Sequence, residues 1–168
     1  MGVRLFLALW PDKSIRRQLV QWRDAWQWPN HSAPVADGKL HLTLNFLGNV
    51  DEALLPDLVE AFDVSFTPFE IELGRAVVWH QSIAVLEPLS IPPALFDLHV
   101  SLNERVAAAG LPVEDRIYKP HVTMARRAGK ATPPEGMPAV RWQVDGYALV
   151  QSKLGHTAEY GVVQPYPR

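Results

Sequence analysis

The chain has 168 residues, enough for one domain of ordinary size or for two small lobes that share a core. Its formal net charge of −2 argues against a surface that binds nucleic acid over its whole extent, although a local basic patch is compatible with it. The chain contains no cysteine, which excludes disulfides, thiolate nucleophiles and cysteine zinc sites. We expect a cytoplasmic protein, because no apolar stretch is long enough to span a membrane and the N-terminus does not resemble a signal peptide.

The first half of the chain predicts alternating strands and helices. An apolar run over residues 3–8 predicts a buried strand. Apolar residues then recur at helical spacing, so residues 13–27 are predicted as an amphipathic helix with Asp12 as its N-cap. Residues 40–47 alternate between apolar and polar positions and predict a strand, and residues 51–63 predict a second helix.

The second half adds strands around one long helix. The predicted elements are strands over residues 69–73, 76–79 and 83–86, a helix from Pro92 to about Gly110, a strand over 117–125, a loop over 126–138, and strands over 140–152 and 159–164. This order predicts an α+β fold. We expect two antiparallel or mixed sheets with outer helices around a central cleft. The halves should be related by an approximate internal two-fold symmetry within a single domain of residues 1–168.

One short pattern, His-apolar-Thr-apolar, occurs twice in the sequence. The first copy, HLTL, begins at His41, and the second copy, HVTM, begins at His121. Because successive side chains of a strand point to opposite faces, His41 and Thr43 share one face, and so do His121 and Thr123. The apolar residues between them can be buried. Two such strands side by side would place two imidazoles and two hydroxyls around one small volume.

That group of side chains suits a phosphate. Threonine hydroxyls donate hydrogen bonds to non-bridging oxygens. Because the unperturbed pKa of histidine is near ~6.5, one imidazole can take a proton from water or an alcohol while the other gives one to a departing alkoxide. This chemistry needs no metal, and the near symmetry leaves open which histidine is the acid. A single copy is common in strands, but two copies flanked by apolar residues favour an active site over a purely structural repeat.

Other assignments of the histidines have less support. Two histidines could begin a zinc site, but no third His, Asp or Glu lies at ligand spacing beside either motif, so we expect no metal. We expect the remaining histidines to be structural or solvated, and these are His31, His80, His99 and His156. The sequence has neither a P-loop nor a Gly-x-Ser-x-Gly pattern, which argues against an ATP-driven ligase and a serine hydrolase.

Two side chains near the second motif are further candidates. Arg126 can neutralise phosphate charge, but strict alternation places it on the face opposite His121, so this role requires a bulge or a turn of the chain. The alternative is an ordinary solvated strand end, which Arg127 and Lys130 also fit. Tyr118 is expected to be a core or rim tyrosine, with stacking on a base as the alternative.

The paired motifs resemble the H-x-T-x motifs of the 2H phosphoesterase superfamily. Four segments, RLFLAL, LHLTLNFLG, KPHVTMARR and LVQSKLGHTAEYGVV, resemble in that order the RNA 2′,3′-cyclic phosphodiesterases, which are also called 2′-5′ RNA ligases. The resemblance runs from about residue 3 to residue 167. It implies a bilobal 2H phosphoesterase-like fold with both motifs in the central cleft.

The resemblance also implies an activity, which is hydrolysis of an RNA terminal 2′,3′-cyclic phosphate to a 2′-phosphate without a metal or cofactor. His41 resembles the proton donor to the leaving 3′-oxygen, and His121 resembles the proton acceptor that activates water. Thr43 and Thr123 resemble the ligands of the phosphate oxygens, and Arg126 stands where relatives also have an arginine. Some members join tRNA halves through a 2′-5′ linkage, reversibly and without ATP.

The expected partners are RNA ends or nucleotides with a 2′,3′-cyclic phosphate, including tRNA halves, and we expect a monomer that does not bind membranes. Two alternatives use the same site. One is a related phosphodiesterase that acts on 2′-5′ oligoadenylate or on a small cyclic nucleotide-like metabolite. The other is a non-catalytic module that binds RNA ends, against which two intact motifs argue.

Overall fold

The structure, a computed structural model, describes residues 2–153 and 159–168. Within these residues the strands are β1 (Gly2–Leu9), β2 (Ala33–Pro34), β3 (Leu42–Asp51), β4 (Phe69–Trp79), β5 (Ile83–Pro88), β6 (Val122–Arg126), β7 (Val140–Val144), β8 (Tyr147–Ser152) and β9 (Tyr160–Tyr166). The α-helices are α1 (Lys13–Ala25), α2 (Leu55–Ala61) and α3 (Pro93–Ala108).

The strands form one nine-stranded sheet in the order β7-β4-β5-β6-β3-β1-β8-β9, with β2 paired to β6. Every neighbouring pair is antiparallel. The two predicted sheets are therefore halves of one sheet, β7-β4-β5-β6 with β2 added beside β6 and β3-β1-β8-β9. The halves meet where β3 lies beside β6 through the residue pair Leu42 and Val122. We call this junction the seam. The predicted α+β class is confirmed, and the continuous sheet supports our proposal of a single domain over residues 1–168.

Several predicted boundaries shift for local reasons. Residues 69–79 form one strand instead of two. The strand continues through Gly74, where the register of its pairing with β5 shifts. Residues 140–152 form two strands instead of one, separated at Asp145 and Gly146. The helix predicted over residues 51–63 begins as a 3₁₀ turn, and α2 proper starts at Leu55 with a proline in its first turn.

One face of the sheet is covered by two amphipathic helices. Asp12 caps α1 by accepting a hydrogen bond from the backbone N–H of Ile15 at 2.8 Å. The α1 residues that this packing buries are Ile15, Leu19 and Trp22, and those of α3 are Leu95, Leu98, Leu102 and Val106. Burying these side chains is the main driving force for the layered fold. Among the described helices, none is long and apolar enough to cross a membrane.

Strand β1 is buried on both faces, which explains its continuous apolar sequence. Leu5, Leu7 and Leu9 belong to the main core under the helices. Phe6 and Ala8 point to the other face, where a smaller apolar cluster lies beside two partly buried aromatic residues. The remaining members of this cluster and its neighbours are Ala148, Val150, Trp10 and Tyr160. The second face of the sheet therefore carries a group of aromatic side chains next to the first motif.

Candidate active site

Both motifs begin the two strands that meet at the seam. His41 and His121 each lie one residue before their strand, β3 or β6. In both copies the side chains alternate as predicted, because the histidine and threonine are partly buried while the apolar residues are fully buried. The pairing of Leu42 with Val122 brings the two copies side by side. The structure therefore brings together the four residues that the sequence pattern singled out.

The two histidines are held in the same way. His41 Nδ1 donates to the carbonyl oxygen of Lys39 at 2.7 Å, and His121 Nδ1 donates to the carbonyl oxygen of Lys119 at 2.7 Å. Because a carbonyl can only accept, the proton of each neutral imidazole lies on Nδ1 and the lone pair lies on Nε2. His41 Nε2 accepts a hydrogen bond from Thr43 Oγ1 at 2.9 Å. Each Nε2 is thus the atom available for proton transfer.

The repeated unit is longer than the sequence analysis recognised. The segments KLHLTL and KPHVTM share a lysine two residues before the histidine, and the carbonyl of this lysine orients the ring. The ammonium groups lie on aromatic rings, with Lys39 Nζ 5.4 Å from the ring centre of Tyr160 and Lys119 Nζ 5.1 Å from that of Trp79. Aligning the two motifs by their histidines reveals these lysines in the sequence.

Both motifs carry a change of register directly after the threonine. Along β3, Thr43 pairs with Ala8 and Asn45 with Leu7, so Leu44 is an extra residue. Along β6, Met124 is extra in the same manner, between the partners of Val85 and Ala84. Such bulges reverse the alternation of side chains and are frequent next to active sites.

The bulge at Met124 determines on which face of β6 Arg126 lies. Two consecutive residues, Met124 and Ala125, are buried, and Arg126 is exposed on the next position, so that it falls in phase with His121 and Thr123. The first motif has the same burial pattern, and there Phe46 occupies the equivalent exposed position. The two half-sites are therefore alike in backbone geometry, but only the second offers a guanidinium.

Aromatic rings surround both imidazoles. His41 stacks on Phe6 with ring centres 4.7 Å apart, and Trp10 and Tyr160 lie 5.9 Å and 5.6 Å from it. His121 contacts Trp79 with ring centres 4.4 Å apart. These residues come from β1, β9, β4 and the segment after β1, and no local sequence signal links them to the motifs. They remove water from one side of each imidazole.

Burial dominates the acid–base properties of His41. It lowers the pKa of His41 to about 4, because the imidazolium loses hydration among the aromatic rings. The hydrogen bond to the Lys39 carbonyl acts in the opposite direction, and the positive charges of His121 and Arg16 lower the pKa further. The effect of His121 on the pKa of His41 follows from their proximity across the seam.

His121 has more varied surroundings. Burial lowers its pKa, the Lys119 carbonyl and the Glu87 carboxylate raise it, and the charges of Arg126 and Lys119 lower it again. Glu87 also accepts a hydrogen bond from the indole Nε1 of Trp79 at 3.1 Å, which fixes the ring that contacts His121. The described residues place no hydrogen-bond partner on His121 Nε2. This nitrogen is therefore positioned to accept a proton from water.

The charges around the site favour an anion. Arg16 lies with its guanidinium 5.1 Å from the ring centre of Trp10 and donates to the Leu40 carbonyl next to His41. Lys39, Lys119 and Arg126, which are described above, are the other cations around the site. Across the described residues, no cluster of three or more His, Asp or Glu side chains could hold a metal ion. The arrangement can bind a phosphate between two imidazoles and transfer protons on both sides of it.

The remaining sequence candidates lie apart from the imidazole pair. His31 and His80 are exposed, as expected for solvated residues. His99 lies on α3 and hydrogen-bonds to β3, which is a structural contact of the kind predicted. His156 falls outside the described residues. Tyr118 is partly buried and stacks on His99.

Comparisons with known proteins show which family the chain resembles. The model of the family described as LigT like Phosphoesterase matches residues 9–85. The RNA 2′,3′-cyclic phosphodiesterase of Escherichia coli is 34% identical over 137 residues, which cover 79% of this chain and 78% of that protein. The RNA 2′,3′-cyclic phosphodiesterase of Thermus thermophilus is 32% identical over 169 residues, covering 90% of this chain and 83% of that protein.

The chain belongs to the LigT-like phosphoesterase family. The crystal structure of E. coli LigT complexed with 3′-AMP superposes with a TM-score of 0.87 at 27% sequence identity, covering 99% of this chain and 98% of that one. The resemblance that the paired motifs indicated is therefore confirmed. This LigT-like phosphoesterase is a hydrolytic enzyme, as its family and relatives show.

Proposed function

We propose that this LigT-like phosphoesterase hydrolyses the 2′,3′-cyclic phosphate at the end of an RNA to a 2′-phosphate, without a metal ion. The observation that carries the proposal is the pair of imidazoles at the seam, each with Nδ1 bound to a carbonyl so that the lone pair lies on Nε2. The names of the relatives from E. coli and T. thermophilus support the substrate class. The 3′-AMP complex of E. coli LigT supports a site of nucleotide size.

The proposed reaction is a single in-line displacement at phosphorus. His121 Nε2 takes a proton from water as the water oxygen bonds to phosphorus. The bond between phosphorus and the 3′-oxygen breaks, and His41 Nε2–H gives its proton to that oxygen. The product carries a 2′-phosphate and a free 3′-hydroxyl. Thr43 and Thr123 donate hydrogen bonds to the non-bridging oxygens, and Arg126 offsets their charge.

The environments of the histidines support this division of roles. The open Nε2 of His121 suits the residue that meets water. His41 must carry a proton in the complex although its pKa in the free site is about 4. A phosphodiester anion between the rings raises that pKa, because an opposite charge within hydrogen-bonding distance stabilises the imidazolium. Binding of the anion and protonation of the site are therefore coupled.

This coupling predicts that the affinity for an anion rises as the pH falls. Free His41 is neutral above about pH 4, so an anion that needs its imidazolium takes up one proton on binding between pH 7 and pH 5. Sulfate keeps a constant charge over this range. We expect its dissociation constant to fall about tenfold per pH unit from pH 7 to pH 5, measured by calorimetry.

A control variant assigns this pH dependence to the histidine. His41→Gln removes the titrating imidazole while keeping a polar side chain, and we expect it to flatten the dependence. An affinity of the wild-type protein that stays constant from pH 7 to pH 5 would contradict the proposed coupling.

The same site can support ligation. If the 5′-hydroxyl of a second RNA replaces water, the attack produces a 2′-5′ phosphodiester, and the energy of the strained cyclic phosphate makes ATP unnecessary. We include this reversible reaction with tRNA halves in the proposal. Hydrolysis of 2′-5′ oligoadenylate, action on a small cyclic nucleotide-like metabolite, and RNA-end binding without turnover are the alternatives. The cytoplasmic location and the monomeric state stay predictions.

The proposal is tested by incubating the protein with an RNA that ends in a 2′,3′-cyclic phosphate, in excess chelator. We expect a product whose terminal phosphate is removed by phosphatase and whose position is assigned to the 2′-oxygen by ³¹P NMR. A panel of 2′,3′-cyclic mononucleotides and 2′-5′ oligoadenylate separates the alternative substrates. Tight binding of the cyclic end with no product would instead identify an RNA-end binding module.

A further inference from the structure

The seam between the two half-sites is weakly connected through the backbone. Among the described residues, Leu42 and Val122 are the one pair of strand partners across it. A second connection crosses the seam through a side chain, because Tyr118 Oη donates a hydrogen bond to the carbonyl oxygen of Thr43 at 2.9 Å. Tyr118 is three residues before His121, and the next residue, Lys119, supplies the carbonyl that orients that histidine. One short segment therefore contacts both half-sites.

The carbonyl of the residue after each threonine is bonded differently in the two halves. In the second motif the carbonyl of Met124 accepts from the backbone N–H of Val35 at 2.8 Å. In the first motif the carbonyl of Leu44 accepts from His99 Nδ1 at 2.8 Å. The backbone around Thr43 is thus held by two side chains, Tyr118 and His99, on consecutive carbonyls.

These two side chains also support each other. The rings of His99 and Tyr118 are stacked with centres 3.9 Å apart and planes 7° apart. Asn103 Nδ2 donates to His99 Nε2 at 3.3 Å, which keeps the His99 proton on Nδ1, where it binds Leu44. Asn103 Oδ1 in turn accepts from Asn45 Nδ2 at 2.7 Å. The network links α3, the bulge of β3 and the segment before β6.

We propose that Tyr118 and His99 are positioning residues, which together hold the Thr43 backbone and set the spacing between the His41 and His121 half-sites. The proposal rests on the proposed function for its catalytic readout. Neither residue touches the reacting atoms. They act through the backbone, and a displacement of about 1 Å at a catalytic group can lower the rate by about a hundredfold.

The test compares two tyrosine-to-phenylalanine variants. Tyr118→Phe removes only the hydroxyl that binds Thr43 and keeps the ring stacked on His99. Tyr166→Phe is the matched control, since Tyr166 is buried at the end of β9 and its hydroxyl donates to the backbone carbonyl of Val59 in α2 at 2.6 Å. Each variant loses one tyrosine–carbonyl hydrogen bond. Their Tm values are measured alongside kcat and KM for the cyclic-ended RNA.

We expect Tyr118→Phe to lower kcat at least tenfold with KM changed less than threefold, while Tyr166→Phe stays within twofold of wild type. If both variants keep their kcat within twofold, the proposal is wrong. An equal loss of kcat in both would also overturn it, because this would show general loosening of the fold instead of a specific role at the seam.

Two variants of His99 test its contact with the Leu44 carbonyl. Their results can be interpreted even if Tyr118→Phe does not fold well. His99→Asn keeps an amide N–H where Nδ1 donates to Leu44, whereas His99→Phe keeps the ring over Tyr118 and loses the donor. We expect His99→Asn to recover at least a third of the wild-type kcat and His99→Phe to lose tenfold or more. Equal kcat values for the two variants would contradict a role for the Leu44 contact.

A measurement on the free protein separates this inference from the proposed function. NMR titration gives the pKa of His41, which the positive charge of His121 lowers while the two rings stay close. If cyclic RNA is not turned over, the proposed function fails, but Tyr118→Phe should still change the His41 titration relative to Tyr166→Phe. An unchanged His41 titration in Tyr118→Phe would overturn the positioning role whatever the activity is.

Discussion

Replacing His121 with alanine is expected to lower kcat for a cyclic-ended RNA by about 10²–10⁴-fold, and His41→Ala is expected to have an effect of the same size. Each change removes one of the two positioned proton transfers. The proton-accepting role requires a neutral Nε2 and the donating role requires a protonated one, so neither histidine can replace the other. Single-turnover kinetics in excess chelator measure the effect on the chemical step.

His31→Ala is the control for these two variants, because His31 is exposed in the loop after α1 and lies outside the imidazole pair. It should keep the wild-type kcat. The double variant His41→Ala/His121→Ala should lose less than the product of the single losses, as for residues that act as a unit. Turnover that survives either single substitution would reject the two-histidine mechanism and favour another set of catalytic groups.

Loss of a threonine hydroxyl is expected to have the second largest effect. Thr43→Val and Thr123→Val keep the shape of the side chain and remove a donor to the phosphate oxygens, which should lower kcat about 10²–10³-fold for each. Thr43→Val should have the larger effect, because Thr43 Oγ1 also binds His41 Nε2 at 2.9 Å. The kcat values and the dissociation constant of sulfate at pH 5.5 are measured together.

The control for this pair is Thr67→Val, which makes the same change at an exposed position before β4. It should leave both kcat and sulfate affinity unchanged. If Thr123→Val binds sulfate and turns over RNA as the wild type does, Thr123 is not a phosphate ligand. A larger loss in Thr123→Val than in Thr43→Val would show that the contact between Thr43 and His41 contributes little.

Local periodicity made much of the fold predictable. The apolar stripes of α1 and α3 and the alternation in β3 and β6 follow from the geometry of single elements, so the sequence predicted these elements. The strand bounds were less accurate, because β6 begins at Val122 instead of residue 117 and β3 ends at Asp51 instead of residue 47. Two of the errors involve glycines. The gap predicted between the strands over 69–73 and 76–79 contains Gly74, which lies inside β4, and the single strand predicted over 140–152 contains Gly146, which lies between β7 and β8. A glycine permits a bulge, a bend or an end, and sequence alone does not distinguish these.

Some features of the candidate site could likewise be predicted from the sequence, and others could not. The doubled motif was sufficient to select His41, Thr43, His121 and Thr123 and to place each pair on one face, because residues two apart on a strand always share a face. The sequence did not decide whether Arg126 lies on the same face as His121, because this requires a bulge in the strand. The register change at Met124 meets this condition, and it depends on pairing with β5, which is remote in sequence.

The sequence by itself determined the two motifs, the face that each His–Thr pair shares and the family resemblance, since all of these lie in short segments with a fixed local geometry. Only the tertiary structure decided what surrounds them. The aromatic rings beside His41 come from β1, from the segment after it and from β9, and the ring beside His121 comes from β4. Tyr118 and His99 acquire their contacts with β3 through packing of α3 and the seam. Contacts between residues far apart in the chain depend on the whole fold, and no local pattern records them.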